Sequence, residues 1–304
     1  MNKLTVVLLG ASGQLGQTVQ SLWPSLTSGT GAAVNLVPLS RAELDISDES
    51  ALQRGITPLE PDWIVNAAAY TAVDRAESEP GQARAANDTG ADNIARLASR
   101  LDCRMLQVST DYVFSGNACK PYQPQDPTAP LGVYGASKLA GEKAVLDNLG
   151  HRAVIVRTGW LYSPYGTNFL LTMLRLMAQR DQLTVVDDQV GTPTSSHSLA
   201  QLLLHIVQQD IAGGIYHWSD AGVASWFDFA VAIQEEALAM GLLGRAIPVL
   251  PIPGSRYPTA AKRPHYSVLD KSATEAVVQL APRHWRIRLR EVLQELKSRG
   301  MTTT

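Results

Sequence analysis

The sequence predicts an α/β protein built on a doubly wound parallel sheet, with a smaller α/β region supplied by its C-terminal half. Three observations carry this expectation. Leu4–Leu9 is a near-continuous apolar, β-branched run, the pattern of a strand buried on both faces. A glycine-rich turn, Gly10–Gly16, follows it at once. Strand patterns then alternate with helical ones as far as Thr158, the order that yields a parallel sheet with right-handed crossovers.

Each element has its own signal. Behind the turn, a helical stretch runs over about Gln14–Leu22. The Ser/Thr/Gly-rich segment Thr27–Gly31 reads as a surface loop and Val34–Leu39 as the second strand. Pro61 and Asp62 introduce a third strand, Trp63–Ala68. Pro80–Arg100 places alanines, Ile94 and Leu97 on one face and predicts a helix. Strand Arg104–Ser109, helix Tyr134–Leu149 and strand Ala153–Arg157 complete the alternation. Beyond Thr158 it loosens into helices at Asn168–Arg180, Ser198–Gln209, Phe227–Met240 and Arg288–Arg299. Short strands are expected at Leu183–Val186 and Gly214–Trp218, and a Pro-rich loop at Pro248–Pro264. No repeat or low-complexity linker separates the halves. Residues 1–160 are therefore expected to form a dinucleotide-binding domain to which segments around 183–220 return, and residues 161–304 mainly a substrate-binding region capping the sheet.

Composition narrows the function classes. Among 304 residues, 45% are hydrophobic and 18% charged, which suits a chain with a sizeable core and excludes disorder. A net charge of −2 gives no electrostatic footprint for nucleic acid or a membrane surface. A phosphorylated ligand would be held by local basic residues and helix N-termini. Cys103 and Cys119 form no C-x-x-C pair, so a reducing, cytoplasmic compartment is expected. Leu4–Leu9 is too short to span a bilayer. The six histidines show no metal-ligand spacing, and no metal site is expected.

The motifs point to a dinucleotide. In Gly10-Ala-Ser12-Gly13-Gln14-Leu15-Gly16, glycines permit a tight turn, close approach to a pyrophosphate and close helix packing. The helix behind it offers free N–H groups and a positive dipole end. The spacing is G-x-x-G-x-x-G. Ser40 and Arg41 stand at the end of the second strand, where an arginine favours a ribose 2′-phosphate, so NADPH is expected with NADH possible. Asp45 and Ile46 are placed to border the adenine. Ala67, Ala68 and Ala69, after the third strand, let the chain pass close to a cofactor.

Ser109-Thr110-Asp111-Tyr112 ends the fourth strand, at the sheet edge where open α/β folds bind ligands. Tyr134 and Lys138 lie four apart at the start of a helix and so share a face. Free tyrosine has a pKa of about 10, too high for efficient acid–base work near neutrality. An adjacent ammonium is expected to lower it.

Glycine loop, threonine and Tyr-x-x-x-Lys in this order resemble the extended short-chain dehydrogenase/reductases, which share the Rossmann fold. More narrowly, the chain resembles the dTDP-4-dehydrorhamnose reductase family. The resemblance rests on Asn66–Asp74, Ser109–Phe114, Tyr134–Glu142, Arg157–Trp160, Asp188–Thr194 and Pro258–Pro264, in family order over nearly the whole chain. It implies a catalytic triad of Thr110, Tyr134 and Lys138 and a dTDP-sugar substrate. It further implies that Trp160, with Val73, Asp111 and Tyr112, lines the sugar pocket. Arg263, with Lys262, would meet the diphosphate, and Asn168, Gln189 and Thr192 are further candidate contacts. Some relatives bind Mg²⁺ between subunits through a glutamate where His197 stands here; a hard cation prefers carboxylate oxygens, so Mg²⁺ is not expected. Monomer and homodimer both remain open.

Two other readings stay open on the sequence. A nucleotide-sugar dehydratase or epimerase shares the scaffold, but dehydratases follow the threonine with Asp-Glu, whereas Asp111 here precedes Tyr112. Some relatives serve as NADP-binding regulatory subunits of methionine adenosyltransferase; the intact triad argues for catalysis.

Overall fold

The structure is a computed structural model that describes residues 4–27 and 34–300. Six parallel strands form the central sheet: β1 (Leu4–Leu9), β2 (Val34–Leu39), β3 (Trp63–Asn66), β4 (Arg104–Thr110), β5 (Ala153–Thr158) and β6 (Gly214–His217). Their order across the sheet is β6-β5-β4-β3-β1-β2. The chain leaves β1 towards β2 and then returns to the other side of β1 as β3. This is the topological switch point, where a crevice opens at the carboxyl ends of the strands. The expected fold class is the one observed.

Both faces of the sheet are covered, which explains why β1 reads as a near-continuous apolar run. Val6 and Leu8 face one core with helices α1 (Gln14–Thr27) and α6 (Ser196–Gln208). Val7 and Leu9 face another, closed by α2 (Glu49–Ile56), α3 (Gly90–Arg100) and α4 (Val133–Leu149). Leu8 and Leu9 are at most 1% exposed, and burial of each contributes roughly 1.5–3 kcal/mol. A third core gathers α5 (Phe169–Gln179), α7 (Trp226–Ala239) and α8 (Trp285–Ser298) around Phe229 and Leu293.

The structure amends several expected elements. The third strand stops at Asn66, leaving Ala67–Ala69 as a loop at the crevice. The helix expected over Pro80–Arg100 is split into Pro80–Arg84, a π turn at Ala85–Thr89 and α3. The Pro-rich loop Pro248–Pro264 contains a strand, Val249–Ile252, which pairs in parallel with Leu183–Val186 outside the main sheet. Helix α2 and the short helices Val73–Ser78 and Ser272–Val278 carry too few periodic residues to stand out in the sequence. Thr27 closes α1, and the rest of the loop expected at Thr27–Gly31 lies outside the described residues. No helix among the described residues is long and apolar enough to cross a membrane.

Candidate active site

The glycine loop is built for close approach. Gly10 has φ +82°, and a Cβ there would lie 2.6 Å from the Ala68 nitrogen. A Cβ on Gly16 would sit 2.3 Å from the Gly10 carbonyl oxygen, so this glycine packs α1 beneath the loop and does not face the crevice. No acidic residue occupies the first turn of α1, and its positive end is left for an anion. This cradle fits a dinucleotide pyrophosphate.

Two cavities meet over the loop, sharing Gly13, Ala67, Ala69 and Thr71. The outer one, about 490 Å³, is bordered by Gly10, Ser12, Arg41, Asp45, Ile46 and Ala68. Arg41 is largely exposed and pairs with Asp45 at 3.5 Å. Ser40 turns away, its N–H and hydroxyl both donating to Glu43 at 2.8 and 2.7 Å. The Ser47 amide and hydroxyl hold the Asp45 carboxyl below its usual range.

The inner cavity, about 310 Å³, brings together Gln14, Leu15, Thr110, Tyr134, Lys138 and Trp160. Val73, Asp111 and Tyr112 complete the expected part of its wall. Thr110 ends β4, and its hydroxyl donates to Asp111 at 3.0 Å. Tyr112 and Tyr134 meet edge to face, 5.6 Å between centroids. Lys138 is 4% exposed, and its ammonium donates to the Val108 carbonyl at 2.6 Å.

The electrostatics differ from the expectation that Lys138 lowers the Tyr134 pKa. Burial pushes the Tyr134 phenol up to about 12, opposed by the Thr110 hydroxyl and reinforced by Asp111. Lys138 spends its donor on the strand carbonyl, and burial brings it down to about 8 against the pull of Glu142. Near neutrality the tyrosine therefore holds its proton and the lysine its charge. Asp111 rises to about 6, because burial of its charge outweighs the hydroxyl and amide groups around it.

Trp160 enters the cavity with φ 52°, an uncommon backbone region for a bulky residue. Its indole lies flat on Trp226, 3.4 Å apart and 1° from parallel, and a Cβ on Gly191 would strike it. One ring face is thus fixed by packing.

The remaining candidates stand outside the inner cavity. Arg263 forms a fork on Asp74, at 2.7 and 3.2 Å, and its charge reaches the Tyr112 phenol. Lys262 is exposed. Asn168 caps α5, accepting from the Leu171 amide and donating to the Ser163 carbonyl. Thr192 donates to the Gly222 carbonyl at 2.9 Å and borders a small recess behind Asp111 and Trp160. Gln189 lies beside Gly254. His197 pairs with Glu295 at 2.9 Å.

A model of the RmlD substrate binding domain family matches residues 4–298. The dTDP-4-dehydrorhamnose reductase of Streptomyces griseus is 40% identical over 97% of this chain and 94% of its own length. This chain belongs to the dTDP-4-dehydrorhamnose reductase family. Its namesake in Aggregatibacter actinomycetemcomitans is 39% identical, over 94% of this chain and 97% of its own. The solved dTDP-4-dehydrorhamnose reductase of Bacillus anthracis, in complex with NADP, has a TM-score of 0.89 at 35% identity. That match covers 97% of this chain and all 100% of the other.

On this reductase scaffold, sequence reasoning overlooked four residues. Thr158 and Gly159 reach the inner cavity because β5 ends beside β4. Trp226 supports Trp160 from a distant helix and left no local signal. Glu142 was visible, four residues beyond Lys138 on the same helix face.

Proposed function

We propose that the protein reduces the C4 ketone of dTDP-4-dehydro-L-rhamnose to dTDP-L-rhamnose with NADPH, the final step of dTDP-rhamnose biosynthesis, NADH being a possible substitute. The carrying observation is the convergence of Thr110, Tyr134 and Lys138 on one cavity continuous with the glycine-floored groove. The names of the relatives and the NADP bound to the Bacillus anthracis reductase support the same substrate and cofactor. A cytoplasmic location accords with the free thiols of Cys103 and Cys119.

In this reading the loop Gly10–Gly16 and the N-terminus of α1 hold the pyrophosphate, Arg41 the 2′-phosphate, and Asp45 and Ile46 flank the adenine. Lys138 holds the nicotinamide ribose. The cofactor, when bound, supplies the hydride that reduces the ketone carbon. Thr110 turns its hydroxyl from Asp111 to the carbonyl oxygen and donates there, stabilising the charge that develops. Tyr134 gives that oxygen its proton, so the ketone ends as a secondary alcohol. A phenol at about 12 is fully protonated at neutrality, the state a reduction needs. Val73, Asp111, Tyr112 and Trp160 enclose the sugar. Arg263 takes the diphosphate by exchanging its carboxylate partner for phosphate oxygens, which suit the same fork.

The test is NADPH absorbance with dTDP-4-dehydro-L-rhamnose, repeated with NADH and with Tyr134→Phe. Stoichiometric NADPH loss is expected in the parent protein. The variant should lose at least about 100-fold in kcat while keeping its NADPH affinity. Turnover without net NADPH consumption, or full activity of the variant, would overturn the reading.

A further inference from the structure

Glu142 is 1% exposed, and no part of the proposed chemistry uses it. With Tyr134 and Lys138 it forms an i, i+4, i+8 series along one face of α4. Its carboxylate accepts the Ser109 hydroxyl and a fork from Arg157, with Nε at 2.9 Å and Nη2 at 2.7 Å. Arg157 is 3% exposed, and its remaining donor reaches the Pro124 carbonyl at 3.1 Å. Ser109 directly precedes Thr110 on β4, and Arg157 directly precedes Thr158 on β5. One buried carboxylate thus fastens the helix carrying Tyr134 and Lys138 to both strand ends that face them.

We infer that Glu142 is a positioning residue for the site. It fixes α4 against β4 and β5 and sets a carboxylate one helical turn from Lys138, where the cofactor is held. The inference rests on the proposed role of Lys138. The ionisable groups around Lys138 are Tyr134 and Glu142 on its own helix, Asp111 at the end of β4 and Arg157 on β5. The segments packed on α4 add Asp74, Arg75 and Glu77, then Arg84 and Asp88, and on α3 Asp92, Arg96 and Arg100. Of these, Glu142 is the group whose charge supports Lys138 against burial.

The readout is the pH dependence of NADPH affinity, followed by cofactor fluorescence without substrate. Lys138→Met serves as the control, and it should abolish the alkaline limb. Glu142→Gln should move that limb to lower pH by about one unit. Glu142→Asp keeps the charge and should leave the limb near its parental position. Glu142→Gln/Arg157→Met removes both charges of the pair, which protects folding, and its limb should lie at lower pH than that of Arg157→Met, which keeps the carboxylate. An unmoved limb in Glu142→Gln, or a limb in the double variant no lower than that of Arg157→Met if the single one does not fold, overturns the role of Glu142. A limb that persists in Lys138→Met instead overturns the role of Lys138 itself.

Discussion

At the scale of single residues, the site works by burial more than by charge pairing. Tyr134 and Lys138 lie on one helix face, yet burial raises the phenol to about 12 against the Thr110 hydroxyl and with the help of Asp111. For the proposed proton delivery that is an asset, since the acid form is the one required. Arg41 is the opposite case, an exposed guanidinium tied only loosely to Asp45. It is free to exchange that partner for a phosphate. A charge-assisted hydrogen bond contributes about 1.5–3 kcal/mol. Arg41→Ala should therefore weaken NADPH at least about 10-fold and leave NADH nearly unchanged, as measured by fluorescence titration. Equal losses for both cofactors would show that Arg41 does not read the 2′ position.

At the scale of elements, caps and turns decide what periodicity leaves open. Asn168 was a candidate substrate contact, but its side chain accepts from the Leu171 amide and donates to the Ser163 carbonyl. An N-cap of this kind is worth about 1 kcal/mol. Asn168→Ala is expected to lower stability by about that amount in urea unfolding while KM stays at the parental value; a raised KM at unchanged stability would return it to the substrate. The π turn Ala85–Thr89 makes a related point. Asn87 is turned inward, accepting the Tyr70 amide at 2.8 Å and donating to Ser137 at 3.0 Å. A Cβ on Gly141 would come within 2.1 Å of its carbonyl oxygen. The turn thus links the cofactor groove to the helix of Tyr134. An apolar pattern with period 3.6 cannot report one extra residue in a turn, so Pro80–Arg100 reads as a single helix.

At the scale of the whole molecule, buried carboxylates give stability a pH dependence. Asp220 accepts the Ser195 amide at 2.8 Å at the start of α6, and its other oxygen has no hydrogen-bond partner among the described residues. Burial raises its pKa from 3.8 to about 6. A raised pKa means that the folded state takes up the proton first. The favourable contribution is complete below 3.8 and is lost as pH rises through about 6. Asp220→Asn removes this dependence. Relative to the parent, the variant should gain up to about 3 kcal/mol between pH 4 and pH 7. Paired urea melts at the two pH values check it, and a difference independent of pH would show that the carboxyl is not raised.

The fold class and the nucleotide groove were legible because their signals are local. An apolar strand, a glycine turn and Tyr-x-x-x-Lys each lie within one short stretch, and parallel topology follows from their alternation. What the sequence by itself determined was this chemistry and its order along the chain. Only the tertiary structure decided which groups are free to use it. It committed Asn168 to a cap, placed Arg263 on Asp74, laid Trp226 under Trp160 and set Arg157 against Glu142. All of these except the Asn168 cap join residues distant in sequence, and packing withdraws each at least in part from solvent. Neither separation in space nor loss of solvent is written in the order of residues.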